Sequence, residues 1–223
     1  MGAHYDVRFG LILVFPRARQ AARYASRMHA FSFPFDSSTM KTALLLIDVQ
    51  ESFRQRPFWD AAELPDFLRN TQNLIDSAQA RGIPILQVFH IAQPQSPFAL
   101  ESGYVRTLDE LSLTPTAVFH KTVHSALFAR AADGSTLQTW LEQQGIEQVV
   151  VAGIRTEQCC ETTARHAADS GYKVRFVTDA TLTFAMQSLS GKHYTPADIR
   201  DATELVLAGR FAKIVPASRA LDD

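Results

Sequence analysis

The stretch VVVAGIRTEQCCETTARHAADSG, residues 149–171, decides the fold. Four apolar residues at 149–152 stop at Gly153, and Cys159 and Cys160 then open a segment that reads as a helix closed by Gly171. This is the pattern of a buried parallel strand, a tight loop and a helix whose first turn points back over the sheet edge. Ligands of open α/β sheets bind at that edge. A cysteine in the first helical turn sits at the positive end of the helix dipole, beside unsatisfied N–H groups, and both favour thiolate. The competing reading is that both cysteines are small buried hydrophobes, the usual fate of free cysteine.

Outward from this stretch the chain alternates strands and helices. Apolar runs at 43–47, 83–90, 117–120, 173–180 and 211–215 read as further strands. Helical spacing recurs over 63–81, stopped by Gly82, and over 135–144, stopped by Gly145. TPADIRDATELVLAG at 195–209 carries a Thr cap, a Pro in the first turn and a closing Gly. The alternation predicts an α/β fold with a parallel sheet covered on both faces. Residues 91–116 lack periodicity and read as a long connection of the kind that often serves as a functional lid.

Three of the strands deliver a reactive side chain at their C-terminal ends. ALLLI at 43–47 runs into Asp48, AVFH at 117–120 delivers Lys121, and the 149–152 strand leads to Cys159. Taken singly, Asp48 reads as a loop cap and Lys121 as a solvated lysine. Three such groups at equivalent positions of one sheet converge on one cleft. Asp48 is placed to take the thiol proton, Lys121 to stabilise thiolate and carboxylate, and Cys159 to attack a carbonyl. Cys160 would share the packed helix face with Ala164, Ala167 and Ala168.

Composition excludes several classes. With 223 residues, 46% hydrophobic and 20% charged, the chain is one globular domain of ordinary size. A net charge of −1 supplies no basic field for nucleic acid or anionic membrane. No apolar run approaches the roughly 20 residues that span a bilayer. The two cysteines are adjacent and cannot form a disulfide framework, so a reduced, cytoplasmic setting is expected. No P-loop or dinucleotide fingerprint follows any strand, and no cofactor is expected. Residues 1–39, rich in arginine, read as an N-terminal extension outside the core, with a transit peptide as the alternative. Residues 40–223 form the domain itself.

ALLLIDVQESF, HKTVHSAL and VVVAGIRTEQCCETTARHAADSGY, in this order and spacing, resemble the signature segments of the isochorismatase-like cysteine hydrolases. The resemblance covers about residues 41–216. It implies a three-layer α/β/α, doubly wound fold with a six-stranded parallel sheet, and an Asp–Lys–Cys triad at Asp48, Lys121 and Cys159. It also implies an oxyanion hole from the backbone N–H groups of Arg155 and Cys159, and a cis peptide at Ile154–Arg155. Cys160 stands where the family usually carries a plain apolar residue. Homo-oligomers, dimer or tetramer, are implied as well.

The family divides by chemistry. Its nicotinamidases bind a metal through an Asp-x-His segment and a further His after the second strand. FHIAQPQSPFALESGY at 89–104 has no such spacing, His90 stands alone, and no metal is expected. His120 and His124, on either side of Lys121, read as accidental. The isochorismate-cleaving branch hydrolyses a vinyl ether by acid catalysis, with Asp48 as the acid in that alternative. Retention of Cys159 favours acyl transfer, hence hydrolysis of an amide or related C–N bond of a small molecule. Phe53, Trp59, Phe98 and Tyr104 are candidate pocket walls, and Arg155 and Gln158 candidate readers of a polar substrate group. A third class, a silent or redox-responsive protein using the adjacent thiols, also remains open.

Overall fold

The computed structural model describes residues 40–222, so the 1–39 extension lies outside the described residues. Six parallel strands form one sheet: β1 (Thr42–Ile47), β2 (Ile85–His90), β3 (Ala117–Lys121), β4 (Gln148–Ile154), β5 (Lys173–Leu182) and, after a short antiparallel pair, β8 (Lys213–Ile214). Their order in space is β3-β2-β1-β4-β5-β8, so the winding reverses between β1 and β4. That reversal opens a crevice at the carboxyl ends of the two strands. Asp48 and the cysteine turn sit there because each immediately follows one of those strands.

Alternation along β1 shows why both faces are covered. Leu44 and Leu46 pack into one core with Phe67, Leu74, Ile75 and Ala78 of α1 (Leu64–Ala80). Ala43, Leu45 and Ile47 pack into the other. That second core takes Leu137 and Leu141 of α2 (Leu137–Gln143), Ala164 and Ala167 of α3 (Glu161–Asp169), and Leu207 of α4 (Pro196–Leu207). The result is the three-layer α/β/α architecture. Pro65 in the first turn starts α1, and Gly82, in the left-handed region at φ 65°, ends it. At α4 the Thr195 hydroxyl caps the Asp198 N–H while the Asp198 carboxylate returns to the Thr195 N–H.

Gly153 is a position that only glycine fills. Its φ is 138°, and a Cβ built there would lie 2.0 Å from the Ile47 carbonyl oxygen. The absence of a side chain lets β4 press against the last residue of β1, one residue before Asp48. The same place carries a register shift between β4 and β5, after which Gly153 pairs with Thr181 and Ile154 with Leu182. This is why β5 runs two residues past the Ala180 end expected from sequence. A short antiparallel hairpin of β6 (Met186–Gln187) and β7 (His193–Tyr194) has no signature in the sequence, because two-residue strands carry no periodicity.

The cysteine segment also differs from expectation. Residues Thr156–Cys160 form a π-helical turn, and α3 begins only at Glu161. The Arg155 carbonyl accepts from both the Gln158 and Cys160 N–H groups, which widens the turn. Wide turns of this kind recur at functional sites.

Candidate active site

Asp48 leaves β1 with φ 54°, in the left-handed region that Asp tolerates but few residues adopt. This turns its carboxylate in over the sheet end, where the residue is fully buried. Lys121 reaches the same point from β3, two strands away. Adjacent strands lie roughly 4.8 Å apart, a span its four-carbon stem crosses over β2. Its Nζ donates to Asp48 Oδ2 at 2.7 Å and to Cys159 Sγ at 3.3 Å. Neither the Lys121 nor the Asp48 side chain is exposed. The structure thus brings together the three side chains that the sequence singled out.

Burial alone would lower the Lys121 pKa, but Asp48 and Cys159 beside it more than offset that, and the ammonium is held above its ordinary range. Cys159 departs from expectation. Burial first, then the Asp48 charge, push its thiol up to about 12, and Lys121 opposes them without prevailing. The resting group is therefore a thiol, not the thiolate that a helix terminus alone would favour. Desolvation outweighs the dipole because Cys159 is only 7% exposed. Asp48 Oδ1 is buried without a hydrogen-bond partner among the described residues. A free acceptor thus stands beside a protonated thiol.

The turn that carries Cys159 is tied down from both sides. The Thr163 hydroxyl donates to the Cys159 carbonyl at 2.6 Å and accepts from the Ala126 N–H at 2.9 Å. The Thr156 hydroxyl donates to Thr181 Oγ1 at 2.8 Å. Cys160 is fully buried in the core shared with Ala164 and Ala167, and burial raises its thiol too. Ala168 packs at the margin of that core. The Ile154–Arg155 peptide is cis, and the Arg155 N–H has no acceptor among the described residues.

The other expected residues are more scattered. Phe53 is buried edge-on against Phe98, ring centroids 5.1 Å apart. Trp59 packs on Phe184 under the Arg54 guanidinium. Tyr104 is half exposed and is anchored through its carbonyl, which accepts from the Ser52 N–H and hydroxyl. Gln158 is exposed on the π turn. Arg155 turns inward over the Phe58 and Phe184 rings, with Nη2 2.8 Å from Glu157 Oε1 but off the line of its N–H bonds. That neighbouring carboxylate neutralises it as a reader of anions. An open groove of about 450 Å³ runs along the outer edge of β3, lined by Ile91, Leu100, Val123, Phe128, Ala131 and Ala132. It meets Lys121 only at its backbone, since the lysine side chain is sealed, and neither Asp48 nor Cys159 lines it.

Sequence reasoning did not place His90 at the site. Its Nδ1 lies 3.3 Å from Lys121 Nζ. The signal was present in the strand register: His90 ends β2 as Lys121 ends β3, but pairing is invisible before the sheet is assembled. Among the described residues no three His, Cys, Asp or Glu side chains gather as metal ligands. No helix among them is long and apolar enough to cross a membrane.

Residues 42–195 match the family model of the Isochorismatase domain. The chain belongs to the isochorismatase family. It is similar to the isochorismatase family protein YrdC of Bacillus subtilis, 25% identical over 82% of this chain and 96% of that one. Nicotinamidase 3 of Arabidopsis thaliana is 27% identical over 81% of this chain and 87% of its own length. The crystal structure of an isochorismatase from Pseudomonas putida superposes with a TM-score of 0.67 at 25% identity, covering 81% of this chain and 90% of that one. This isochorismatase-family protein is a hydrolase.

Proposed function

We propose that this hydrolase cleaves an amide or related C–N bond of a small molecule through an acyl-thioester on Cys159. The observation that carries the reading is the ammonium of Lys121 held 2.7 Å from Asp48 and 3.3 Å from Cys159, with Asp48 Oδ1 left free. A thiol with its pKa near 12 is a poor nucleophile until a base takes its proton. Asp48 Oδ1 takes that proton as Sγ attacks the carbonyl carbon. Lys121 offsets the negative charge that passes between carboxylate and sulfur. The N–H groups of Arg155 and Cys159 receive the oxyanion. Collapse breaks the C–N bond, and Asp48 returns the proton to the leaving nitrogen. Water, deprotonated by Asp48, then attacks the thioester and frees the acid and the thiol.

Relatives named as nicotinamidases support amide chemistry over ether cleavage. The decisive measurement is intact-protein mass spectrometry during turnover of a panel of small primary amides. An acyl adduct on the Cys159 peptide is expected, absent in Cys159→Ala. Turnover that persists after both thiols are removed would move the assignment to an ether hydrolase with Asp48 as acid.

A further inference from the structure

The Lys121 ammonium carries three N–H donors. Two are committed to Asp48 Oδ2 and Cys159 Sγ. The third has the His90 ring within reach, its Nδ1 3.3 Å from Nζ. This contact is built into the sheet, because His90 and Lys121 are register partners in the parallel ladder of β2 and β3. The residue is held through its main chain. The buried Gln50 amide accepts from the His90 main-chain N–H at 2.8 Å and donates to the His90 carbonyl at 3.1 Å. The ring stands edge-on to Phe98 at 83°, centroids 5.9 Å apart.

We propose that His90 is a positioning residue for Lys121, accepting its third N–H and so aiming the ammonium between Asp48 and Cys159. The role requires a neutral imidazole with its proton on Nε2, since an imidazolium has no lone pair to accept with. The groups facing it agree. Lys121 from β3 and His124 from the loop after β3 disfavour a second positive charge, and Asp48 from the end of β1 favours it. Burial is the largest influence, and the balance lowers the His90 pKa. With Lys121 saturated and Asp48 Oδ2 occupied, Oδ1 is the carboxylate oxygen left for the thiol proton. His90 thereby decides which carboxylate oxygen acts as base, without touching substrate.

The kinetic part of this assignment rests on the amide-hydrolase reading, so the test has one arm that does not. In long-range ¹⁵N–¹H spectra of the full chain, His90 is expected to show a bare Nδ1 and a protonated Nε2 at about pH 7. A proton on Nδ1 there would overturn the proposal whatever the enzyme hydrolyses. In the kinetic arm, His90→Phe removes the acceptor, whereas His90→Asn keeps one near the Nδ1 position and cannot titrate. His90→Phe is expected to lower kcat roughly ten- to a hundredfold with KM little changed, the scale of a misaimed catalytic group. His90→Asn should recover most of kcat and lose an acid-side limb of the wild-type profile. Wild-type kcat in His90→Phe, or an unchanged acid limb in His90→Asn, would also overturn the proposal. If the wild type turns over no amide, that reading fails and the spectrum alone decides the role of His90.

Discussion

Lys121 Nζ and Asp48 Oδ2 meet at 2.7 Å with both side chains sealed from solvent. A buried ion pair is costly to break from one side, because the survivor is left as an uncompensated charge, at about 3–5 kcal/mol. Asp48→Asn and Lys121→Met should each lose stability on that scale and abolish turnover. The double variant, which buries no charge, should recover most of the stability and none of the activity. Denaturant midpoints of the three variants check this. A double variant as unstable as the singles would mean that the pair is not the source of the loss.

The two cysteines should separate cleanly. Cys159→Ala is expected to abolish turnover with a change in stability of no more than about 1 kcal/mol, the loss of one small buried thiol. Cys160→Ala should keep most turnover and lose about 1 kcal/mol, because it opens a small gap in the layer with Ala164 and Ala167. Activity lost with Cys160 and kept without Cys159 would reverse the assignment.

Alkaline pH should weaken the fold through Cys159. Its folded pKa is raised from 9.0 to about 12, so the folded state holds a proton that the unfolded chain releases. That contribution is complete below the unfolded value and fades as pH rises through the folded one. The fall in melting temperature above about pH 9 should therefore be shallower in Cys159→Ala. Alkylation of Cys159 by iodoacetamide should still climb with pH at about pH 10, where an activated thiolate would have levelled off. A plateau near neutrality would contradict the protonated resting thiol.

Gly153→Ala should be among the most damaging single substitutions. The new Cβ would meet the Ile47 carbonyl at 2.0 Å on a backbone with φ 138°. Strain and overpacking together are expected to cost about 3 kcal/mol or more. Because Ile47 precedes Asp48, residual folded protein should also show reduced kcat. Wild-type stability in this variant would show that β1 and β4 can separate without consequence.

A chain starting at Met40 should fold and keep its activity, because every strand, cap and site residue described lies at or beyond that position. Thermal melts and turnover of the shortened chain beside the full one decide it. Insolubility, or a melting temperature lower by more than a few degrees, would make residues 1–39 part of the fold.

Local chemistry was enough for much of this protein. Apolar runs ending in Asp48, Lys121 and Gly153 marked strand ends, and the Thr195 cap with Pro196 marked α4, because propensity and capping act over a few residues. The three signature segments named the family, and with it the cis peptide before Arg155. The assembled sheet decided what depends on distance in space. The β2–β3 register set His90 beside Lys121. Enclosure of Cys159 made desolvation outweigh the helix dipole and left a thiol where a thiolate was expected. The doubled acceptance at the Arg155 carbonyl widened the cysteine turn, and Glu157 neutralised Arg155. Each of these arises from groups that the chain separates or leaves exposed until the layers close, and a pKa or a strand partner exists only once they have closed.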